Sequence, residues 1–315
     1  MSSPRIVSLL PSATEIVAAL GFADALVARS HECDFPDEVE DLPVCTEPKV
    51  DASRPSAEIH RSVSALLSDA LSVYRVDARR LRELQPTHVV TQIQCEVCAV
   101  SLADVEQALS GWVGERPALV PLNPSSLADV YADMERVANA LGAPGRGERL
   151  VARSRARLEE IAAAAAGLRH RPRVATVEWL SPLMTAGLWM PELVSMAGGL
   201  DLFGKAGSRS TWFSWEQLQA ADPDVVLVFP CGFSLGRVEQ ESGQLTGRPG
   251  WSDLSAVVSG RVYLAEGHQY FNRPGPRLAE TLEIVAEILH PEVFSFGHEG
   301  TGWRRLGARQ FPFPT

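Results

Sequence analysis

The chain has 315 residues, enough for two domains of ordinary size that each bury a hydrophobic core. Its composition is typical of a soluble globular protein, with 45% hydrophobic and 22% charged residues and a mean hydropathy of -0.01. The net charge of -10 and the isoelectric point of about 5.3 argue against a nucleic-acid partner, because proteins that bind a phosphate backbone usually carry a clustered basic surface.

The start of the chain predicts a cytoplasmic protein. Its first apolar run, residues 6–10, ends at Pro11 and is too short for the core of a signal peptide or for a membrane span. No lipobox-like cysteine follows that run. The five cysteines are an odd number, and three of them occur in His-x-Cys or Cys-x-x-Cys settings rather than at disulfide-framework spacings. Both features favour a reducing compartment.

The first part of the chain alternates short apolar strands with amphipathic helices, which is the pattern of an α/β fold. Strands are predicted at residues 5–10, 25–29 and 88–92, and a helix at residues 57–67. After the first strand, Ser12 and Glu15 have the spacing of a capping box in which the Ser12 hydroxyl accepts from the Glu15 amide, and Gly21 ends that helix. A further helix is predicted between Asp77, which caps it, and Pro86, which ends it.

The middle of the chain is predicted to be helical from residue 126 to about residue 168, with an interruption at residues 142–145. The second piece, residues 148–168, is rich in Ala and Arg and would be about 30 Å long. Beyond it the opening pattern of strand, loop and helix recurs from residue 173. Two similar α/β lobes are therefore predicted to flank one long helix. The boundaries are residues 1–145 for the first lobe, 146–169 for the connecting helix, 170–290 for the second lobe and 291–315 for a tail.

Six segments of the sequence resemble one protein family. They are residues 5–21, 30–34, 74–86, 95–98, 122–127 and 271–277. They are similar to class III (helical-backbone) substrate-binding proteins for cobalamin, haem and ferric siderophores, and in particular to a cobalamin-binding-protein-like subgroup without export signals. The resemblance covers residues 5–290. It implies two Rossmann-like α/β lobes joined by one long backbone helix, with a ligand cleft between the lobes.

The resemblance also implies a function, namely the non-enzymatic binding of a small molecule. The ligand would be a cobalamin-like corrinoid or a related tetrapyrrole. Exported members of the family deliver their ligand to the membrane permease of an ABC transporter, and the lack of an export signal argues against a permease partner here. The sequence has no Walker-type phosphate loop and no His-Glu-x-x-His motif. An enzyme or redox protein built on the binding-protein fold stays an alternative.

Ligand contacts are predicted in the loops that follow strands, because ligands of open α/β sheets bind outside the carboxyl ends of the strands. The predicted ligand-binding residues in these loops are Ser12, Glu178, Trp179, Trp189, His268, Tyr270 and Asn272. Aromatic side chains would hold a flat corrin or porphyrin by burial and stacking, and a carboxylate such as Glu178 would meet a polar edge. Ordinary core packing is the alternative for the tryptophans. For His268, an axial bond to a metal centre and a hydrogen-bonded surface position both stay open.

Two short motifs have the composition of a metal site. His31 and Cys33 lie in one predicted loop, and Cys95 and Cys98 form a Cys-x-x-Cys pair in another. Thiolate and imidazole are ligands that zinc and iron favour, so the four side chains are a candidate Zn or Fe site. A reversible Cys95–Cys98 redox pair and small buried cysteines that fill the loop cores are the other two interpretations.

Overall fold

A computed structural model describes residues 3–68, 73–93, 102–110, 112 and 114–307. Contacts along the chain divide it into two units. The first comprises Met1–Arg155 with Pro274–Pro276, and the second comprises Ala156–Arg273 with Arg277–Thr315. Within the described ranges, no helix is long and apolar enough to cross a membrane.

The first unit contains a four-stranded parallel sheet and a separate antiparallel strand pair. The strands are β1 (Ile6–Ser8), β2 (Leu26–Arg29), β3 (Thr46–Pro48), β4 (Tyr74–Val76), β5 (His88–Gln92) and β6 (Ala118–Leu122). The helices are α1 (Pro11–Ala19), α2 (Ser56–Ser68), α3 (Ala78–Leu84), α4 (Leu102–Ala108) and α5 (Leu127–Ala140). A further helix, α6 (Pro144–Ala166), begins in the first unit and ends in the second. The parallel sheet has the order β2-β1-β5-β6, and β3 pairs with β4.

The second unit repeats the parallel arrangement in a five-stranded sheet. The strands of the second unit are β7 (Arg173–Val177), β8 (Trp179–Leu180), β9 (Leu183–Met184), β10 (Leu200–Asp201), β11 (Val225–Val228), β12 (Val262–Ala265) and β13 (Trp303–Arg305). Its helices are α7 (Met190–Met196), α8 (Trp215–Ala221), α9 (Leu235–Glu241), α10 (Gly243–Thr246), α11 (Ser255–Val258) and α12 (Leu278–Leu289). The sheet order is β10-β7-β11-β12-β13, in which only β13 is antiparallel, and β8 and β9 form a small hairpin.

The central strands of both sheets are largely buried, and β11 is a continuous apolar run. All four residues of β11 are fully buried, and so are Ile6 and Val7 of β1. Parallel strands become apolar along their whole length when helices cover both faces of a sheet, whereas a half-exposed strand alternates apolar and polar residues. This local composition is why the α/β class could be predicted, and the prediction is confirmed.

The start of α1 differs from the predicted capping box. The helix begins at Pro11 and its N-cap is Leu10, which makes no side-chain capping bond, so Ser12 lies inside the first turn. Proline is favoured at the first helical position because its fixed φ suits the helix and its missing N–H has no partner there in any case. The predicted cap at Asp77 is confirmed, since its side chain accepts from the amides of Arg79 and Arg80. Ser214 caps α8 in a capping box with Gln217.

Asp133 is a buried carboxyl group on α5 that titrates in an unusual range. Its side chain is 2% exposed, accepts a 3.0 Å bond from the Asn123 amide and pairs with Arg136. Burial raises the pKa of Asp133 from its ordinary 3.8 to about 6, and the Arg136 guanidinium offsets part of that shift. The folded state therefore holds this proton at pH values where the unfolded chain has lost it.

We expect Asp133 to make folding more favourable as the pH falls. Its contribution is complete below pH 3.8, where it is about 3 kcal/mol, and is lost as the pH rises through 6. Between pH 7.5 and pH 5, the stability advantage of the wild type over Asp133→Asn should therefore grow by about 1 kcal/mol in urea unfolding. Glu135→Gln, an exposed change on the same helix, serves as the control. A pH-independent difference for Asp133→Asn would contradict the shifted pKa.

Candidate functional site

The carboxyl ends of three neighbouring strands meet at one edge of the second unit's sheet. β7 pairs with β11 and β11 pairs with β12, all in parallel, so the segments that follow these strands emerge side by side. These segments begin at Glu178, Phe229 and Glu266. Five of the predicted ligand-binding residues lie in them, namely Glu178, Trp179, His268, Tyr270 and Asn272. We call this region the strand-end edge of the second unit.

An aromatic pair supports the surface of the strand-end edge. The Trp179 ring is partly exposed and meets the Phe233 ring edge-on, with 5.4 Å between the centroids. Phe233 is itself buried and is covered on one face by the Arg237 guanidinium, 3.8 Å from its centroid. Phe233 was not among the predicted site residues, although its position shortly after β11 was a usable signal. The pair holds Trp179 in one orientation.

Trp189 lies at the start of α7 rather than in an open loop. It is the N-cap residue of that helix and is 5% exposed. Its indole Nε1 and that of Trp179 are both buried without a hydrogen-bond partner in the part of the chain that the structure describes. Buried indole N–H groups usually have an acceptor, so these two donors need an explanation.

Glu178 is engaged by neighbours within the second unit. Its carboxylate accepts a short hydrogen bond from the Ser210 hydroxyl. Its backbone amide donates to the Met184 carbonyl at 2.8 Å, and its carbonyl accepts from the Cys231 amide at 3.1 Å. Ser210 therefore contacts the half-buried carboxylate, while the backbone of Glu178 is held by the β8–β9 hairpin and by the segment after β11.

A single π-helical turn, Gly267–Phe271, carries His268 and Tyr270. The Glu266 carboxylate caps it by accepting from the His268 amide at 3.1 Å and from the Leu235 amide at 2.6 Å. Asn272 Nδ2 closes the turn with a 2.9 Å bond to the Gly267 carbonyl. Turns of this kind are rare and frequently occur at functional sites. Asn272 thus shapes the turn through its amide.

Tyr270 and His268 each contact an arginine. The Arg277 guanidinium lies over the Tyr270 ring at 4.4 Å, and the His298 ring is 6.2 Å away on an edge-on approach. His268 Nε2 lies 3.0 Å from Nη2 of the buried Arg273. Both ring systems are partly exposed at the strand-end edge.

A sequence pattern at this edge matches an enzyme motif without the enzyme geometry. Residues 232–236 have the Gly-x-Ser-x-Gly spacing of a nucleophile elbow, in which a strained serine is activated by a histidine. Here Ser234 is the N-cap of α9 with an ordinary extended backbone, φ -67° and ψ 157°. No hydrogen bond joins its hydroxyl to an imidazole among the described residues, so the arrangement lacks an activated nucleophile.

In the first unit, the residues after β1 and β2 form a small polar network. The Thr14 hydroxyl lies 2.8 Å from Ser8 Oγ and 3.0 Å from the Cys33 sulfur. Cys33 is buried, and Ser12 is buried within α1. The network ties α1 to the loop after β2, so the predicted ligand contact of Ser12 would require α1 or its surroundings to move.

His31 is partly buried beside Thr46 and Tyr74. Its Nδ1 lies 2.8 Å from the Thr46 hydroxyl, and its ring centroid is 5.6 Å from that of Tyr74. Burial lowers the pKa of His31, with a further lowering from Arg29, so the neutral imidazole is favoured. Neither Thr46 nor Tyr74 was predicted as a neighbour, because both approach from the β3–β4 pair.

The predicted metal site combines described residues with residues outside the described ranges. Within those ranges, no group of three or more His, Cys, Asp or Glu side chains could hold a metal ion. Cys95 and Cys98 lie outside the described residues. The site of His31, Cys33, Cys95 and Cys98 therefore stays a prediction, and so does the redox pair.

Comparison with known proteins identifies the family. A family model described as periplasmic binding protein matches residues 6–267. The chain belongs to the periplasmic binding protein family. The resemblance inferred from the sequence is thereby confirmed. Members of this family are substrate-binding proteins of ABC transporters and not enzymes, which confirms the expectation of a non-enzymatic binding protein.

Individual relatives match the chain over most of its length. The uncharacterized ABC transporter substrate-binding lipoprotein YvrC of Bacillus subtilis (strain 168) is 25% identical over 304 residues, 92% of this chain and 81% of the relative. The vitamin B12-binding protein of Vibrio cholerae is 23% identical over 295 residues, 90% of this chain and 88% of the relative. The cytoplasmic location expected from the sequence stays a prediction.

A solved structure shows the same fold. The periplasmic heme-binding protein RhuT from Roseiflexus sp. RS-1, in its apo form, superposes with a TM-score of 0.69 at 24% identity. The match covers 93% of this chain and 100% of RhuT. At that identity the likeness establishes the architecture, which agrees with the α/β units described above.

Proposed function

We propose that this protein binds a corrinoid or a related metal tetrapyrrole at the strand-end edge of its second unit. The observation that carries the proposal is the cluster of partly exposed rings there. Trp179, His268 and Tyr270 are each held in place by a neighbour, namely Phe233, Arg273 and Arg277. A rigid group of rings is suited to a large flat ligand because little side-chain freedom is lost on binding.

Buried area and hydrogen bonding both favour a large flat ligand at these rings. A tryptophan buries 150–250 Å² when it is covered, and aromatic contacts add about 0.5–1.5 kcal/mol beyond the area term. A corrin or porphyrin macrocycle offers a flat apolar face for such contacts. Its peripheral carboxamide or carboxylate groups are acceptors of the kind that the indole N–H groups of Trp179 and Trp189 lack here. Both nitrogens are covered by protein atoms, so neighbouring side chains would have to move before an acceptor reached them.

The named ligands of the relatives support the same class. The Vibrio cholerae relative is a vitamin B12-binding protein and RhuT is a heme-binding protein, and both ligands are metal tetrapyrroles. Identities of 23% and 24% leave the choice between corrinoid and haem to the residues of this chain.

The test is a titration of ligand-free protein with cyanocobalamin and, separately, with haemin, followed by absorption and by tryptophan fluorescence. We expect saturable binding of one of them with micromolar or tighter affinity. Trp179→Ala should weaken it by about tenfold or more, because a stacked ring is lost. Trp251→Ala is the matched control. Trp251 lies in a short helical turn before α11, away from the strand-end edge, and its ring stacks on that of Trp215 at the start of α8.

Two results would contradict the proposal. One is the absence of saturable binding for both cyanocobalamin and haemin. The other is equal weakening by Trp179→Ala and Trp251→Ala with unchanged melting temperatures. Zinc and iron analysis of the same sample tests the predicted metal site, because near-stoichiometric metal without tetrapyrrole binding would move the site to the Cys/His motifs.

A further inference from the structure

The first part of α6 carries three arginines on one face of the helix. Arg146, Arg149 and Arg153 are exposed, and they are separated by three and by four positions. Helix residues with this spacing are neighbours on the surface, with about 5–6 Å between their Cβ atoms. We call these three side chains the α6 arginine face. It is a locally positive surface on a chain whose net charge is -10.

The α6 arginine face lines a surface pocket of about 560 Å³ that lies within the first unit. This volume falls in the range of about 300–1,000 Å³ that is usual for small-molecule sites. Among the described residues that line the pocket, the three arginines are the charged ones. The other lining residues are small or apolar, namely Ala19, Leu20, Gly21 and Ala152. The pocket is therefore positively charged throughout.

Arg146 is held in the wall of this pocket. Its Nη1 donates to the Leu20 carbonyl at 2.9 Å and to the Gly21 carbonyl at 3.2 Å. Its guanidinium carbon lies 4.8 Å from the centroid of the Phe22 ring. A guanidinium has five N–H donors, so these contacts fix its position and leave further donors for a ligand.

Arg149 and Arg153 differ from Arg146 in their contacts. No ion pair or side-chain hydrogen bond joins either guanidinium to a residue that the structure describes. Glu148 adjoins Arg149 in the sequence, but consecutive helix positions do not face each other. Like charges four positions apart destabilise a helix by about 0.2–0.5 kcal/mol, so this pair opposes folding slightly in the free protein. An anion between the two guanidinium groups would remove that repulsion.

We propose that the α6 arginine face binds a small polyanion, a molecule with two or more phosphate or carboxylate groups. Each guanidinium presents a planar pair of donors that matches either kind of oxyanion. Three such groups around one pocket suit a molecule with several anionic groups. The site uses residues of the first unit alone, so it is independent of the function proposed for the strand-end edge.

Isothermal titration calorimetry of the whole protein at low ionic strength tests the site with two probes, inorganic tripolyphosphate and citrate. We expect saturable binding of at least one probe at about one site per chain, weakened by added salt because the charges are exposed. The double variant Arg149→Gln, Arg153→Gln should bind that probe about tenfold or more weakly, because two charge-assisted contacts are lost. Without anion it should melt no lower than the wild type, since glutamine is a good helix former and the repulsion is gone.

The matched control is the double variant Arg61→Gln, Arg116→Gln, which removes the same charge from exposed positions elsewhere in the first unit. It should bind the probe as the wild type does. Absence of saturable binding of both probes to the wild type would overturn the proposal. Equal weakening in the two double variants would also overturn it, because it would show non-specific attraction to positive charge. Binding of tripolyphosphate alone or of citrate alone would support the site and identify phosphate or carboxylate as the group that it recognises.

Discussion

Replacing Glu287 with alanine is expected to lower the free energy of unfolding by about 3–5 kcal/mol. Glu287 lies on α12 and is 5% exposed, and one of its carboxylate oxygens accepts from the amides of Phe296 and Gly297. The other oxygen accepts from the His298 amide at 3.2 Å and from Trp303 Nε1 at 2.9 Å. Alanine would leave four donors of the C-terminal segment without their acceptor.

The loss should be concentrated in the segment that follows α12. Trp303 begins β13, which pairs with β12 at the edge of the second sheet, and its ring meets Tyr263 edge-on at 5.4 Å. Without Glu287, the Trp303 indole N–H and the three backbone amides of the preceding turn lose their hydrogen-bond acceptor. We therefore expect proteases to cut between residues 291 and 302 in Glu287→Ala under conditions in which the wild type resists them.

Urea unfolding and limited proteolysis check this prediction. Glu292→Ala is the matched control, because the Glu292 side chain is 69% exposed and its carboxylate lies 3.7 Å from Nδ1 of His290. It should change the unfolding midpoint little, as exposed ion pairs contribute about 0–1 kcal/mol. Glu287→Gln should fall between the two, since an amide keeps one acceptor oxygen but turns an NH₂ group towards donors. Equal unfolding midpoints for Glu287→Ala and Glu292→Ala would show that the four hydrogen bonds accepted by Glu287 contribute little to stability.

Replacing Gly267 with alanine is expected to displace the π-helical turn and to weaken ligand binding about tenfold or more. A Cβ at this position would clash with the backbone carbonyl oxygen of Pro230 and would lie 3.1 Å from that of Phe229. Backbone atoms at the end of a buried strand cannot move aside as a flexible side chain can. The turn must therefore shift, and overpacking of this kind costs about 1–3 kcal/mol or more.

The matched control for Gly267→Ala is Gly236→Ala. Gly236 is an exposed residue of α9 with no atom within 4 Å of an added Cβ, so alanine there should raise stability by about 0.5–1 kcal/mol. Calorimetric melting and a cyanocobalamin or haemin titration of both variants make the comparison. A Gly267→Ala protein with wild-type stability and affinity would show that the turn tolerates the shift and does not form part of the ligand site.

Part of the candidate site was predictable because it follows from local patterns. Strand ends can be located from apolar runs and the turn residues after them, so Glu178, Trp179 and His268 were placed at the carboxyl ends of strands that the structure confirms. Parallel neighbours then bring those ends to one edge, whatever the side chains are. The Asp77 cap was recognisable for the same reason, since a cap involves residues only two or three positions apart.

The partners of these residues were not predictable because they come from distant parts of the chain. Phe233 reaches Trp179 across 54 positions only because β11 lies beside β7. Thr46 reaches His31 from a separate strand pair. The start of α1 was missed for a local reason: Ser12 matched the capping pattern, yet Pro11 is the residue that fits the first helical position.

The sequence by itself determined the α/β class, the family and the strand-end location of the candidate ligand contacts, because these depend on periodicity, composition and short motifs. Only the tertiary structure decided how each contact residue is held. The buried carboxylate of Glu287 and the shifted pKa of Asp133 both arise from groups that burial brings within hydrogen-bond distance of partners elsewhere in the fold. Burial removes the water that would otherwise satisfy such groups, so their protonation and orientation follow from whichever side chains the fold places beside them.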